Sequence, residues 1–289
     1  MGRYIPDREE NMSKIVVISG GTDGMGRAVA LARAEHGDDV IVIGSNAGKG
    51  QRLVAESRST GARGTLDFIQ ADLASIAETR RVIEEISART DRVDALGLFA
   101  NRQSPQRVLT DEGIERTFAL YYVSRFVLSH ELSPLLQSSP SGVIINVAGV
   151  GMTKGSIHWD DLHLSSGYST ITAQLQAGRA NDLLGAAYAA QPEPAARYVL
   201  FHPGFTRSGD LSPLPLAARA MIRAAALLAA RSVEAAIEPI HGFIENPPAD
   251  PLTANDRGRP LPLSLPTLDQ ANAERLVQVT RSLLADVSA

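Results

Sequence analysis

The segment SGGTDGMGRA (19–28) constrains the fold of this chain more than any other, because of what flanks it. Before it runs KIVVISG (14–20), a short β-branched run ending in Gly that reads as a buried parallel strand. After it, residues 25–36 read as a helix. A glycine triad alone is weak, but at a strand–turn–helix junction it marks a backbone built to approach a pyrophosphate. Gly20 permits the tight turn, Gly24 lets the backbone come close to the phosphates, and Gly26 lets the helix pack on the strand. The helix N-terminus attracts the anion.

The alternation continues. DDVIVIGSN (38–46), LDFIQADL (66–73), VDALGLFAN (93–101), SGVIINVAG (141–149) and ARYVLFHPG (196–204) read as five further strands. Helical stretches fall at 48–61 and 75–90, and a long one covers 111–137, stopped near Pro134. Strand and helix in alternation argue a single-domain α/β fold with a doubly wound parallel sheet. The Ala- and Leu-rich stretch 210–232 reads as an amphipathic helix, either core packing or part of a lid region around 205–232. The Pro-rich tail 247–266 reads as a wrapping loop, and a last helix covers 267–284. Residues 1–12 read as a disordered extension, with Met12 just before the first strand, and 13–289 as the domain.

Composition excludes several function classes. A formal charge of −4 gives no electrostatic footprint for nucleic acid and no polybasic membrane signal. No apolar run approaches the ~20 residues that span a bilayer, and the N-terminus has no signal-peptide core, so a cytoplasmic location is expected. There is no Cys, which removes disulfides, thiolate catalysis and Cys-ligated metals. The six His (His36, His130, His158, His163, His202, His241) are scattered, so no metal site is expected. The expected partner is a small molecule; association with further copies of the chain stays open.

The spacing G-x-x-x-G-x-G resembles the short-chain dehydrogenase/reductase family, and the resemblance covers roughly residues 14–245. It implies a Rossmann-type sheet, a nicotinamide cofactor and oxidoreductase chemistry. In this likeness Gly20, Thr22, Asp23, Gly24, Met25 and Gly26 form the phosphate loop. ADL (71–73) looks like the pair that holds the adenine, which puts that role on Asp72 and Leu73. FAN (99–101) stands where the family has Asn-Ala-Gly, so Ala100 matches and Asn101 replaces a Gly. TDEGIERTF (110–118), HWDDLH (158–163) and HPGFTRS (202–208) resemble the retinol-dehydrogenase-like branch, the last implying Pro203, Gly204 and Thr206 as cofactor contacts. NAD-specific sites place an acid after the second strand. Here IGSNAGKG (43–50) has none, and Ser45, Asn46 and Lys49 suit a 2′-phosphate instead, so NADP(H) is expected. Two departures oppose this: Ser45 stands where NADP-using relatives often carry Arg, and Asp23 where some carry a base.

The catalytic groups that the resemblance implies are absent. The family's Ser position holds Gly149, and its Asn position holds Tyr121. In QLQAGRANDLL (174–184), with Asn181 and the leucines fixing the register, Gln174 stands for the proton-donating Tyr and Gly178 for its Lys. A shifted register would make Tyr168 the donor and put Thr172 at the Lys position. Lys154, just after the fifth strand, is the one Lys near the cleft and reads as a surface residue.

Three readings follow: a reductase that takes its proton elsewhere, an inactive NADP(H)-binding regulatory or scaffold protein, or a pocket reused for a hydride-free reaction. Loss of a positioned acid costs about 10²–10⁴-fold, while proximity supplies several orders of magnitude, so hydride transfer survives if the substrate carries its own acid. A ketone flanked by a phenol, as in a polycyclic aromatic polyketide, does so. In this the chain resembles the atypical ketoreductases that tailor antibiotic polyketides. The expected substrate pocket is Gly149, His158, Trp159, Tyr168 and Gln174.

Overall fold

The computed structural model describes residues 13–152, 154–204 and 232–288. The lid region and helix expected within 205–231, Thr206 and the 1–12 extension lie outside these residues.

Eight strands form one sheet in the order β3-β2-β1-β4-β5-β6-β7-β8. They are β1 (Ile15–Ser19), β2 (Asp39–Gly44), β3 (Thr65–Gln70), β4 (Ala95–Leu98), β5 (Val143–Val147), β6 (Arg197–His202), β7 (Leu252–Asp256) and β8 (Arg259–Pro260). All pairings are parallel except that of β7 with β8. The chain is therefore a Rossmann-type α/β domain. Side chains alternate across the sheet with the two-residue period of a strand. In β1, Val17 joins one apolar core, while Val16 and Ile18 join the other.

Helices α1 (Gly24–His36), α2 (Ala47–Ser59) and α8 (Val233–Glu245) cover the second core. The first is covered by α3 (Ile76–Ser87), α4 (Arg116–Phe118), a π-turn (Ala119–Val123), α5 (Ser124–Glu131), α6 (Ser133–Gln137), α7 (Thr170–Ala189) and α9 (Gln270–Ser288). Short polar side chains set the starts: Asp23, Asn46, Ser75, Ser169 and Ser232 each cap an N-terminus. Gly37, at φ +118°, ends α1 in the left-handed conformation, with its N–H on the Arg33 and Ala34 carbonyls. Buried Arg33 ion-pairs with Asp38 and Glu245 and so ties α1 to α8.

Three expectations are corrected. The stretch 247–266 is not only loop: LTAND extends the sheet beside β6, and β8 pairs back on it. Few β-branched residues betray β7, and Pro260 sits on the edge strand, where a missing N–H costs no ladder bond. The long helix does not begin at 111. A turn at Gly113 (φ +78°) precedes it, and Glu115 caps it by accepting from the Thr117 and Phe118 N–H groups. Nor does Pro134 stop it, since the break falls at Leu132 and Pro134 opens α6, where proline is tolerated. The third concerns α8, for which the sequence suggested no element; Pro239 inside it masks the pattern.

Candidate active site

The C-terminal ends of the parallel strands form one edge, with the topological switch between β1 and β4. Ligands of such sheets bind there. Gly20 (φ +71°) brings the loop against the end of β4: a Cβ on it would lie 2.7 Å from Ala100 Cα. A Cβ on Gly26 would lie 2.6 Å from the Gly20 carbonyl oxygen. These contacts seat the N-terminus of α1 at the switch point, with no acidic side chain in its first turn, and the arrangement fits a dinucleotide phosphate. Met25 packs against the second core.

At the end of β2, Ser45 and Asn46 are exposed. The Asn46 side-chain oxygen accepts from the Lys49 N–H at 2.9 Å, capping α2. Lys49 Nζ lies 2.5 Å from Asp23 Oδ2, so the charge suited to a 2′-phosphate is paired with the N-cap acid of α1. Thr22 packs against Gly44, where a Cβ would come within 2.8 Å of it. Past β3, Asp72 accepts from the Ala74 N–H at 3.1 Å and from Arg116 Nη2 at 2.6 Å, beside buried Leu73.

Gln174, in the second turn of α7, meets Asn101 across the cleft in two hydrogen bonds. Asn101 Nδ2 donates to Gln174 Oε1 at 3.0 Å, and Gln174 Nε2 donates to Asn101 Oδ1 at 3.1 Å. One turn on, a Cβ at Gly178 would meet nothing within 4 Å among the described residues. Gly149 follows β5 in a turn where a Cβ would sit 3.3 Å from the Met152 sulfur. Tyr121 is buried in the π-turn with its ring 4.6 Å from the Arg125 guanidinium carbon, and burial raises its pKa. Tyr168 lies before α7, and its hydroxyl donates to the Ser104 carbonyl at 2.8 Å. Lys154 is exposed.

His158 is exposed, with its backbone N–H on Gln176 Oε1 at 2.9 Å. Trp159 packs on the first core with Arg275 4.2 Å above its ring, and it lines a cavity with Arg179 and Leu183 of α7. Pro203 and Gly204 (φ +80°) follow β6 at the same sheet edge. Just before them, His202 Nδ1 lies 2.9 Å from Asp256 Oδ1 across β6 and β7.

A family profile for short chain dehydrogenases matches residues 14–161, more than half of the chain. The chain belongs to the short chain dehydrogenase family. It is thus an oxidoreductase of a family that binds nicotinamide cofactors. A Streptomyces sp. (strain C5) protein that carries the name daunorubicin C-13 ketoreductase, DnrU, is 28% identical over 284 residues, covering 95% of this chain and 94% of that protein. Human retinol dehydrogenase 13 is 26% identical over 176 residues, 61% of this chain but 53% of its own length. Among solved structures, an uncharacterised Mycobacterium paratuberculosis protein superposes with a TM-score of 0.66 at 23% identity, covering 93% of this chain and 92% of its own. A short-chain dehydrogenase from Sphingobium yanoikuyae in complex with NADPH gives 0.61 at 19% identity, covering 94% and 95%. Among the described residues no helix is long and apolar enough to cross a membrane.

Beneath the cleft of this short chain dehydrogenase lies a polar network that the sequence did not suggest. Arg125 is fully buried. It donates to the Ala100 carbonyl at 2.9 Å, to the Val147 carbonyl at 3.0 Å and to Asn146 Oδ1, so it ties the ends of β4 and β5 together. Asn146 Nδ2 donates to Asn181 Oδ1 at 3.0 Å and to the Tyr198 hydroxyl at 2.9 Å. Asn181 Nδ2 in turn donates to the Tyr121 carbonyl at 2.7 Å. Burial lowers the Arg125 pKa to about 10, which leaves it charged at neutral pH. The visible signal was a lone Arg in the apolar stretch YYVSRF.

The turn that carries Gly149 is clamped from α7. Arg179 Nη2 donates to the Met152 carbonyl at 3.1 Å, and Arg179 Nε to the Gly155 carbonyl at 3.2 Å. Asp182, buried beside Arg179, has its pKa raised by burial from 3.8 to about 7. Arg179, the Thr267 hydroxyl and the Gly151 N–H oppose that rise. Neither of the last two reaches Asp182 Oδ1 in hydrogen-bond geometry, and among the described residues Oδ1 has no partner.

Proposed function

We propose that the chain is an NADPH-dependent ketoreductase acting on a polycyclic aromatic, polyketide-type ketone of the angucyclinone kind, with the proton supplied by the substrate. The observation that carries this reading is the Asn101–Gln174 amide pair at the Tyr position, between Gly149 and Gly178. An amide donates hydrogen bonds but gives up no proton at neutral pH. Tyr121 is buried away from solvent, and the Tyr168 proton is spent on Ser104. A 94% covered relative named as a ketoreductase and a neighbour that holds NADPH support the substrate class and the cofactor.

When bound, the cofactor supplies the hydride. The loop Gly20–Gly26 would hold its pyrophosphate, Asp72 and Leu73 its adenine, Ser45, Asn46 and Lys49 its 2′-phosphate, and Ala100, Asn101, Pro203, Gly204 and Thr206 its nicotinamide end. The substrate lies against Gly149, Tyr168 and Gln174. An N–H of each amide is left for its oxygens once the pair is made. As the carbonyl carbon gains the hydride, the neighbouring phenol transfers its proton to the carbonyl oxygen. The phenolate is then reprotonated from water.

The test is a matched pair of substrates, a phenol-flanked polycyclic ketone and its O-methyl ether, under single-turnover conditions. The ether is expected to react slower by about 10²-fold or more, the usual worth of a positioned acid. Equal hydride-transfer rates overturn substrate assistance. Cofactor binding without turnover of any carbonyl would return the chain to an inactive binding role. Titration should show tighter NADPH than NADH; equal or tighter NADH overturns the cofactor choice.

A further inference from the structure

We propose that Arg125 discriminates between the two redox states of the cofactor: it is a fixed cation beneath the cleft that favours the uncharged dihydronicotinamide of NADPH and disfavours the pyridinium of NADP⁺. The inference rests on the NADP(H) reading above.

The first observation is a buried charge without a counter-charge. Arg125, in the first turn of α5, is fully buried. Buried charges are costly and are normally paired with an opposite one. Among the described residues no carboxylate pairs with this guanidinium. Its partners are the Ala100 and Val147 carbonyls and the Asn146 amide oxygen, all neutral, and Nε has no partner among the described residues. The Tyr121 ring lies 4.6 Å away, and burial raises the pKa of Tyr121 and of Tyr198, so both stay uncharged phenols. Asp182, which acts on Tyr121 from α7, has its pKa raised to about 7, and its Oδ2 lies 3.3 Å from Arg179 Nη1. The dipoles around Arg125 solvate it and leave its net charge in place.

The second observation is location. Ala100 directly precedes Asn101, and Val147 stands two residues before Gly149. The guanidinium therefore lies under the strand ends whose next residues would take the nicotinamide end and the substrate. Two unit charges roughly 10 Å apart at an effective dielectric of about 20 shift an equilibrium by about tenfold. Burial keeps Arg125 from being screened as a surface charge would be.

The consequence falls at the two ends of the turnover. Arg125 favours loading of the reduced cofactor. During hydride transfer its effects on the new ring charge and on the new oxyanion oppose each other. Once the product is protonated and gone, only the repulsion of the ring remains, and Arg125 speeds release of NADP⁺.

The full chain is titrated by calorimetry with NADPH, NADP⁺ and 2′-phospho-ADP-ribose, which lacks the nicotinamide. NADPH should bind about tenfold or more tighter than NADP⁺. NADP⁺ should bind no tighter than 2′-phospho-ADP-ribose. Asn146→Asp sets a carboxylate against Arg125 Nη1 and keeps the guanidinium, while Arg125→Met removes the charge. Each should narrow the gap between NADPH and NADP⁺ by about fivefold or more. A purely structural Arg125 predicts that all three ligands weaken alike, and an unchanged ratio in a folded variant overturns the proposal. Circular dichroism checks folding. If one variant fails to fold, the other decides. If both fail, the wild-type order decides, and NADP⁺ as tight as NADPH overturns the proposal. A chain that binds neither cofactor overturns this inference and the cofactor reading together. The expected ratios without turnover of any carbonyl would sink the ketoreductase reading alone.

Discussion

Asn101 and Gln174 hydrogen-bond each other twice, at 3.0 and 3.1 Å, across the cleft between β4 and α7. Flipping both amides preserves both bonds, so the pair is satisfied in either orientation and each group keeps one further N–H. In the proposed reading the pair occupies the place where the family's acid would stand. Putting an acid there should therefore add little for a substrate that brings its own. Gln174→Tyr with Gly178→Lys is expected to change single-turnover rates on a phenol-flanked ketone by less than about tenfold, and to raise those on the methyl ether by about 10²-fold. Among the described residues a Cβ at Gly178 meets no neighbour within 4 Å, so the first carbon of the lysine is accommodated. A large gain on the phenolic substrate would show that the protein had lacked the acid it needed.

Tyr168 is the nearest rival donor, and its hydroxyl holds the Ser104 carbonyl, as does the Thr170 hydroxyl at 2.9 Å. These bonds fasten the loop after β4 to the start of α7. Tyr168→Phe should leave kcat within about tenfold, since a general acid would be worth about 10²-fold or more. It should lower stability by about 1 kcal/mol, the net worth of one hydrogen bond. A thousandfold loss with intact cofactor affinity would make Tyr168 the donor.

The buried network predicts a larger effect on folding. Arg125→Met removes the donor to two strand-end carbonyls and to Asn146 Oδ1. Each stranded acceptor costs about 1–3 kcal/mol, so a loss of about 3 kcal/mol or more is expected in urea unfolding. A loss below 1 kcal/mol would mean that water replaces the guanidinium.

How much of this was legible depended on whether a residue's partner is local. The six predicted strands carry their own short apolar runs, and the glycine spacing carries its own turn geometry. β7 does not: LTAND becomes a strand because Tyr198–His202 offers it an edge. Asn181 could be read as a register mark, but not as the link between Asn146 and the Tyr121 carbonyl, because those partners lie 35 and 60 residues away. Gln174 looked like a bare loss of Tyr. That it is bonded to Asn101, 73 residues away, is set by the packing of α7 against the end of β4.

Asp182 gives a pH prediction. Its folded pKa of about 7 lies above the ordinary 3.8, because burial disfavours the carboxylate. The folded state then keeps a proton that the unfolded state has released between about pH 4 and 7. Stability contributed by this group is full below the unfolded value and is lost as pH rises through the folded one. At about 1.36 kcal/mol per unit the loss is at most about 4 kcal/mol. Asp182→Asn should raise the melting temperature most at pH 8 and clearly less at pH 5, and flatten the pH dependence between. Equal effects at both pH values would show that Asp182 stays charged throughout.

The last prediction concerns the cofactor edge, where two features oppose each other. Lys49 suits a 2′-phosphate, but its ammonium lies 2.5 Å from Asp23 Oδ2, on the N-cap of α1. A 2′-phosphate that engages Lys49 must compete with that carboxylate and sit near its charge. Both groups are substantially exposed, so the interaction is screened and worth little to folding. For a dianionic ligand, removing the acid takes away repulsion and releases the ammonium together. Asn keeps an oxygen to accept from the Gly24 N–H, as Asp23 does at 2.8 Å, so the helix cap survives. Asp23→Asn should therefore tighten NADPH about three- to tenfold at low salt, with the gain shrinking as ionic strength rises, as for any screened pair of charges. NADH affinity should change less than twofold, because that cofactor carries no 2′-phosphate. Lys49→Met should weaken NADPH and spare NADH. Calorimetric titration of both cofactors against both variants decides it: equal shifts for NADPH and NADH would place the 2′-phosphate away from Lys49 and leave Ser45 and Asn46 to account for any preference.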